Sequence, residues 1–247
     1  MSFSIKLGNF LYKNAFSIYK PTYALFKLKQ DAFEISLLKK YIQPNDIVLD
    51  IGANIGFYAN IVSSIVGVKG LVHCFEPDIK NFNYLKKATS RLTNVKLNNK
   101  AVSSKTEKIN IYTSKNLNVD HRTYKPEEYD KEIEIDAVSI DDYLSQNAKV
   151  NFIKMDIQGF EMNAIQGMQK ILEKNETIKM ISEFWPYGLR KSGSSVNEYF
   201  NFLTQKGFHC YLLEKKTLLL LTSEKVKTLE LLGEEHYFNI FVTRNHV

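Results

Sequence analysis

The spacing of hydrophobic and polar positions changes period repeatedly along this chain, and the changes divide it into alternating helices and strands. Residues 1 to about 44 read as helical: Leu37, Leu38, Tyr41 and Ile42 give an apolar stripe, and Pro44-Asn45-Asp46 stops it. The apolar run Ile47 to Ile51 has the length of a buried strand. It feeds a glycine-containing turn, Gly52 to Gly56, and an apolar helix from about Ile55 to Val66. A second strand begins at Leu71 and ends at Glu76, a helix covers Asp78 to Arg91, and a third strand runs from Val95 to Val102. Ile109 to Thr113 and Ile133 to Val138 are short apolar or alternating runs separated by a polar loop, the pattern of an extra hairpin-like pair.

Ser139-Ile-Asp-Asp-Tyr-Leu reads as a short helix whose serine accepts the orphan amides of the first turn. Phe152 to Ile157 is the fourth strand and Phe160 to Lys174 the next helix; Ile178 to Phe184 is the fifth strand and Ser195 to Gly207 a helix. Phe208 to Leu213 and Tyr237 to Arg244 are the last two strands. Strands alternating with helices imply an α/β fold, a mostly parallel sheet covered on both faces. With no internal repeat and no low-complexity linker, one domain over residues 45 to 247 is expected, preceded by a helical extension or lid over residues 1 to 44.

Ligands of such sheets sit at the C-terminal ends of the strands, and here four strand ends carry acids: Asp50, Glu76, Asp156 and Glu183. The first turn has the spacing Asp50-x-Gly52-x-Asn54-x-Gly56, not the G-x-G-x-x-G of a pyrophosphate binder. An acid and an amide framing a turn suit the ammonium and carboxylate of an amino-acid tail better than phosphate. Glu76, closing the next strand, suits the two hydroxyls of a ribose. A nucleoside joined to an amino acid fits both, and S-adenosylmethionine is the common one. Asp156 also has a bland reading as a cap of the next helix, and Glu183 as a solvated loop acid beside the irregular segment at Trp185-Pro186.

The net charge of +6 brings in a polyanion as a partner, but the excess is nearly all scattered lysine; Arg91, Arg122, Arg190 and Arg244 are the arginines. Lysine lacks the planar bidentate geometry favoured for phosphate and base recognition, so nucleic acid is not expected. Cys74 and Cys210 show no metal or disulfide spacing and read as small buried hydrophobes. The chain shows neither a signal-peptide h-region nor an apolar run long enough to span a bilayer, so a cytoplasmic location is expected. Phe10 to Phe26, basic and aromatic by turns, leaves peripheral membrane contact open beside a packed lid.

Asp50-Ile-Gly-Ala-Asn-Ile-Gly56, Phe75-Glu-Pro77 and Lys154-Met-Asp-Ile-Gln-Gly-Phe-Glu161, with Ile140-Asp-Asp-Tyr-Leu144 upstream, resemble the signature blocks of the FkbM family of S-adenosylmethionine-dependent methyltransferases. The resemblance runs from about Phe33 to Val242. It implies a Rossmann-like class I methyltransferase fold and O-methylation of a hydroxyl, typically on a sugar, glycan or polyketide. Carried onto the matching positions, it makes Asp50, Gly52, Ala53, Asn54 and Gly56 the methionine-side turn and Glu76 the ribose ligand. Tyr58 and Pro77 join the cofactor set, Asn99 and Ala101 lie against adenine, and Asp156 faces the methionine end or the substrate. Family members usually have Glu where this chain has Gln158, and commonly a polar residue where it has Phe184.

An alcohol acceptor needs a base. His121, in the polar loop Asn118-Val-Asp-His-Arg-Thr-Tyr124, titrates near neutrality with Asp120 beside it, so His121, Asp156 and Glu183 form the expected catalytic set. Arg122 and Trp185 are the expected substrate contacts. No metal is expected, because Asp156 and Glu183 leave no clear third ligand. A nucleic-acid ribose methyltransferase would end the fifth strand in lysine rather than Glu183. A non-catalytic nucleoside-binding module is the remaining alternative, and the intact turn and Glu76 speak against such decay.

Overall fold

The computed structural model describes residues 3–114, 121–145 and 147–247. Three helices, α1 (Phe3–Asn14), α2 (Phe16–Gln30) and α3 (Ala32–Tyr41), precede β1 (Ile47–Ile51). Asn45 turns the chain between them with φ 72°, and the Asp46 carboxylate accepts the Gln43 N–H at 2.7 Å. There follow α4 (Phe57–Val66), β2 (Leu71–Phe75), α5 (Ile79–Ala88), β3 (Val95–Asn98), β4 (Ala101–Val102), β5 (Glu107–Thr113) and β6 (Lys131–Val138). The second half holds α6 (Ile140–Tyr143), β7 (Phe152–Met155), α7 (Glu161–Gln166), α8 (Gln169–Lys174), β8 (Lys179–Phe184) and α9 (Pro186–Lys191). The chain closes with α10 (Val196–Gln205), β9 (His209–Glu214), β10 (Thr217–Leu220), α11 (Ser223–Glu230) and β11 (Phe238–Thr243).

The main sheet has the order β10-β9-β11-β8-β7-β1-β2-β3. Pairings among β3, β2, β1, β7 and β8 are parallel, and β11 runs antiparallel between β8 and β9. Strand order therefore reverses between β1 and β7, where such sheets open a crevice. Two apolar clusters cover the sheet. One joins β1 and β7 to α7 through α11, and the other sets α3 and α4 on the opposite face. This is the α/β architecture that the strand and helix alternation predicts.

Several boundaries differ from the sequence reading, each for a local reason. The expected third strand is broken: the Asn99 side-chain amide donates to the Glu76 and Pro77 carbonyls at 2.8 and 2.9 Å, and the chain leaves the sheet there. Ala101 and Val102 then pair with β6, which forms the expected antiparallel hairpin with β5. The helix expected over Phe160 to Lys174 splits at Gly167, where a Cβ would sit 2.0 Å from the Ser103 carbonyl oxygen. The Asp141 carboxylate restarts it by accepting the Lys170 and Ile171 N–H groups, both at 3.0 Å. Leu218 to Leu220 of the leucine run, with Thr217, form the edge strand β10, reached through Lys215 and Lys216, both at positive φ. Two lysines do a turn that sequence patterns assign to Asn-Gly, so the hairpin has no compositional signal. Trp185-Pro186 is not irregular, because proline at the first helical position starts α9.

Candidate active site

The turn after β1 owes its shape to three left-handed residues at alternate positions: Gly52 at φ 85°, Asn54 at φ 48° and Gly56 at φ 88°. That alternation is the physical content of the Gly52-x-Asn54-x-Gly56 spacing, since glycine and asparagine tolerate this region best. Gly52 is also pinned by contact, for a Cβ there would lie 2.0 Å from the Asp156 carbonyl oxygen. Its N–H and that of Ala53 both donate to the Phe75 carbonyl at 3.0 Å, so the turn is tied to the end of β2.

Over this turn lies a cleft of about 490 Å³, at the C-terminal ends of β1, β2, β7 and β8. Gly52, Ala53, Asn54, Tyr58, Glu76, Pro77, Ala101, His121, Arg122, Asp156, Glu183 and Trp185 all line it. The sequence expectations thus converge on one cavity of the size that takes a small-molecule ligand. Gly56, Asn99 and Asp50 support it from behind: Gly56 begins α4, Asn99 latches the end of β2, and Asp50 is wholly buried in β1.

Glu76 receives the Asn54 N–H on Oε2 at 2.8 Å and the Asp78 N–H on Oε1 at 3.0 Å. Burial pushes its carboxyl up to about 8 in spite of these two amides. Additional donors, such as paired hydroxyls, would favour the ionised form. Asp78 caps α5 by accepting the Asn81 N–H at 2.8 Å, and the His121 Nε2 lies 3.9 Å from the Asp78 carboxylate. His121 therefore sits on the β2 side of β1. Asp120, its expected partner in sequence, lies outside the described residues, as do Asn118 and Val119.

A buried ionic cluster occupies the other side. Lys154 is the register partner of Asp50 across β1 and β7. Its Nζ reaches Asp156 Oδ2 at 3.2 Å and Glu34 Oε1 at 3.9 Å, and lies 4.6 Å from the centre of the Tyr58 ring. Burial alone would lower this ammonium, but Asp156, Glu34 and Asp50 together hold it above its ordinary value. Asp50 has no hydrogen-bond partner on either oxygen, and burial raises its carboxyl to about 7 against the pull of Lys154. Asp156 ends below the usual carboxylate range: burial would raise it, and Lys154, Lys27 and hydrogen bonds from Gln158 and Lys154 outweigh burial.

Asp156 does not cap the following helix; its oxygens take Lys154 and the Gln158 amide instead. Gln158, at φ 57°, donates from Nε2 to Asp156 Oδ1 at 3.0 Å and to Glu183 Oε1 at 3.2 Å. Glu183 is buried rather than solvated. Phe184 turns the other way, fully buried and 6.3 Å from the Tyr199 ring, so it lies in the core. At the rim Trp185 donates its Nε1–H to the Glu234 carbonyl at 3.0 Å, and the Arg122 guanidinium lies 5.2 Å from the Trp185 ring while bonding Glu234 Oε1 at 2.8 Å.

Sequence reasoning missed Lys27 and Gln30 of α2, as well as Lys154, Glu234 and Tyr237, all of which line the cleft. Lys154 had a signal: a charge inside the otherwise apolar run Phe152-Ile-Lys-Met155 demands a buried partner. The others lie far away in sequence and carry no motif.

The residues fit S-adenosylmethionine on structural grounds. Asn54 Oδ1 is buried without a partner, Glu76 faces the cleft on the β2 side, and Lys154 and Asp156 offer both charges on the β7 side for an amino-acid tail. Comparison with known proteins agrees. Residues 50–210, well over half of the chain, match the profile of the methyltransferase FkbM domain. Among solved structures, a protein named as an rRNA methylase from Clostridium thermocellum superposes with TM-score 0.52 at 14% identity, over 85% of this chain and 92% of its own. One named as a methyltransferase from Streptococcus mutans, solved with SAH, gives TM-score 0.51 at 12% identity, over 85% and 95%. At such identities these likenesses show the fold alone. No curated protein matches this chain in sequence.

Proposed function

The chain belongs to the FkbM family of methyltransferases and takes S-adenosylmethionine as its methyl donor, and from that premise we propose that it methylates a hydroxyl of a sugar or glycan. The observation that carries the choice of acceptor is the Asp156–Gln158–Glu183 bridge, which lines the cleft with Trp185 and Tyr237. Two carboxylates tied by an amide offer several acceptors to neighbouring hydroxyls, and aromatic rings offer apolar faces to a sugar ring.

When bound, the cofactor supplies a sulfonium methyl group that is already a strong electrophile. The chain's share is to hold the acceptor oxygen in line, exclude water and receive a proton. Asp156, ionised beside Lys154, accepts the hydrogen bond that orients the hydroxyl. Glu183, fixed by the Gln158 amide, takes the proton. His121, paired with Asp78 on the β2 side, is assigned to the nucleoside end of the cleft rather than to the base. Asp50, Gly52, Ala53, Asn54, Gly56 and Glu76 keep their assignments as cofactor turn and ribose ligand, with Asp50 acting through the Lys154 cluster beneath it. Both cysteines are buried and unpaired, which supports a reducing, cytoplasmic setting.

The test is production of S-adenosylhomocysteine from S-adenosylmethionine with free sugars, glycans and RNA offered in parallel. Turnover on a carbohydrate is expected, with Glu183→Gln retaining S-adenosylhomocysteine affinity while losing turnover. Methylation of RNA alone would overturn this reading.

A further inference from the structure

Helices α1 and α2 carry large apolar side chains on two opposite faces. The inner face is accounted for: Tyr12 and Tyr19 are buried, Phe16 stacks on Tyr84, and the Tyr12 hydroxyl donates to Asn81 Oδ1 at 2.6 Å. The outer face is not. Phe10, Ile18, Leu25 and Phe26 are 60, 55, 69 and 62% exposed, with Leu7 and Leu28 about half exposed beside them. Ile18 and Leu25 are seven residues apart, two turns along one face of α2. Single exposed apolar residues are ordinary on a protein surface, but six on two adjoining helices form a patch that needs an occupant.

Charge identifies the occupant. Residues 3–30 contain five lysines and no aspartate or glutamate, so they hold five of the six net positive charges of the whole chain. Lys13, Lys20 and Lys29 are exposed among the apolar side chains. We infer that the outer face of α1 and α2 docks on an anionic phospholipid surface, with the lysines at the headgroup phosphates and Phe10, Ile18, Leu25 and Phe26 in the acyl boundary. A second copy of the chain suits this face poorly, because a two-fold contact would set one acid-free lysine array against another. Residues 3–30 contain no arginine and no acid, which suits a diffuse negative surface rather than the paired donors and acceptors of a protein partner. Among the described residues no helix is long and apolar enough to cross a membrane, so the contact proposed is peripheral.

The test is flotation of the purified protein with vesicles of phosphatidylcholine alone and of phosphatidylcholine with phosphatidylglycerol. Binding to the anionic vesicles only, weakened by added salt, is expected. The variants Leu25→Ser/Phe26→Ser and Lys13→Glu/Lys20→Glu/Lys29→Glu should each lose binding by about tenfold or more. None of these five residues lines the cleft, so equal S-adenosylhomocysteine affinity in wild type and variants certifies the fold. Absence of binding to anionic vesicles, or binding unchanged in both variants, overturns the inference. So does a dimer in sedimentation equilibrium that Leu25→Ser/Phe26→Ser dissolves.

Discussion

The Gln158 side-chain amide faces both oxygens of Glu183, at 3.2 and 3.4 Å, and at the same time donates to Asp156 at 3.0 Å. One neutral donor thereby holds apart two carboxylates that end adjacent parallel strands. Gln158→Glu would put a third carboxyl between them, and three acids in contact cannot all ionise near neutrality. The acid limb of the pH–rate profile should move to higher pH, with S-adenosylhomocysteine affinity retained. A profile identical to wild type would disconnect this bridge from turnover.

Lys154 is the buried cation that Asp156, Glu34 and Asp50 share. Lys154→Met leaves these carboxyls without their counter-charge and should cost roughly 3 to 5 kcal/mol in urea unfolding. The deficit should be smaller at acid pH, where protonation relieves the repulsion.

Glu76→Ala removes the acceptor of the Asn54 and Asp78 amides together with the proposed ribose ligand. Calorimetric titration should show S-adenosylhomocysteine binding weakened by ~1.5 to 3 kcal/mol. Unchanged affinity would remove Glu76 from the cofactor set.

Burial raises the carboxyls of Asp50 to about 7, Glu76 to about 8 and Glu161 to about 7. A raised native value means that the folded protein keeps a proton the unfolded chain has released, so the stability is present at acid pH and lost as pH rises through the native values. Asp156, shifted downward, changes its contribution only below the usual carboxylate range. The melting temperature of the cofactor-free protein should therefore fall between about pH 5 and about pH 8.5. Glu76→Gln should flatten the upper part of that fall.

His121→Ala separates two roles. Beside Asp78 and on the β2 side, its loss should weaken cofactor affinity. Normal affinity with abolished turnover would instead restore His121 as the base.

Gly52 sits at φ 85° with the Asp156 carbonyl where a Cβ would go. Gly52→Ala should cost about 2 kcal/mol or more in unfolding and reduce S-adenosylhomocysteine affinity, because relief requires moving the Asp156 loop.

Local patterns along the chain suffice for the order of the main strands and helices, for the left-handed turn after β1 and for the acids at or beside four strand ends. Periodicity reports which face of an element is buried, and Gly52, Asn54 and Gly56 stand where the backbone must turn left-handed. Local chemistry sufficed for the Ser139 cap, whose hydroxyl accepts the Asp142 N–H at 3.1 Å. Tertiary structure alone decided which polar groups meet. Lys154 finds Glu34 from α3, Trp185 finds Glu234, and Tyr58 donates to Asp31 at 2.6 Å, each across intervals that no motif spans. It also decided that His121 stands beside Asp78 and that Gln158 joins Asp156 to Glu183. Such pairings arise because sheet order sets distant strand ends side by side, and a buried charge must find its partner wherever the fold provides one.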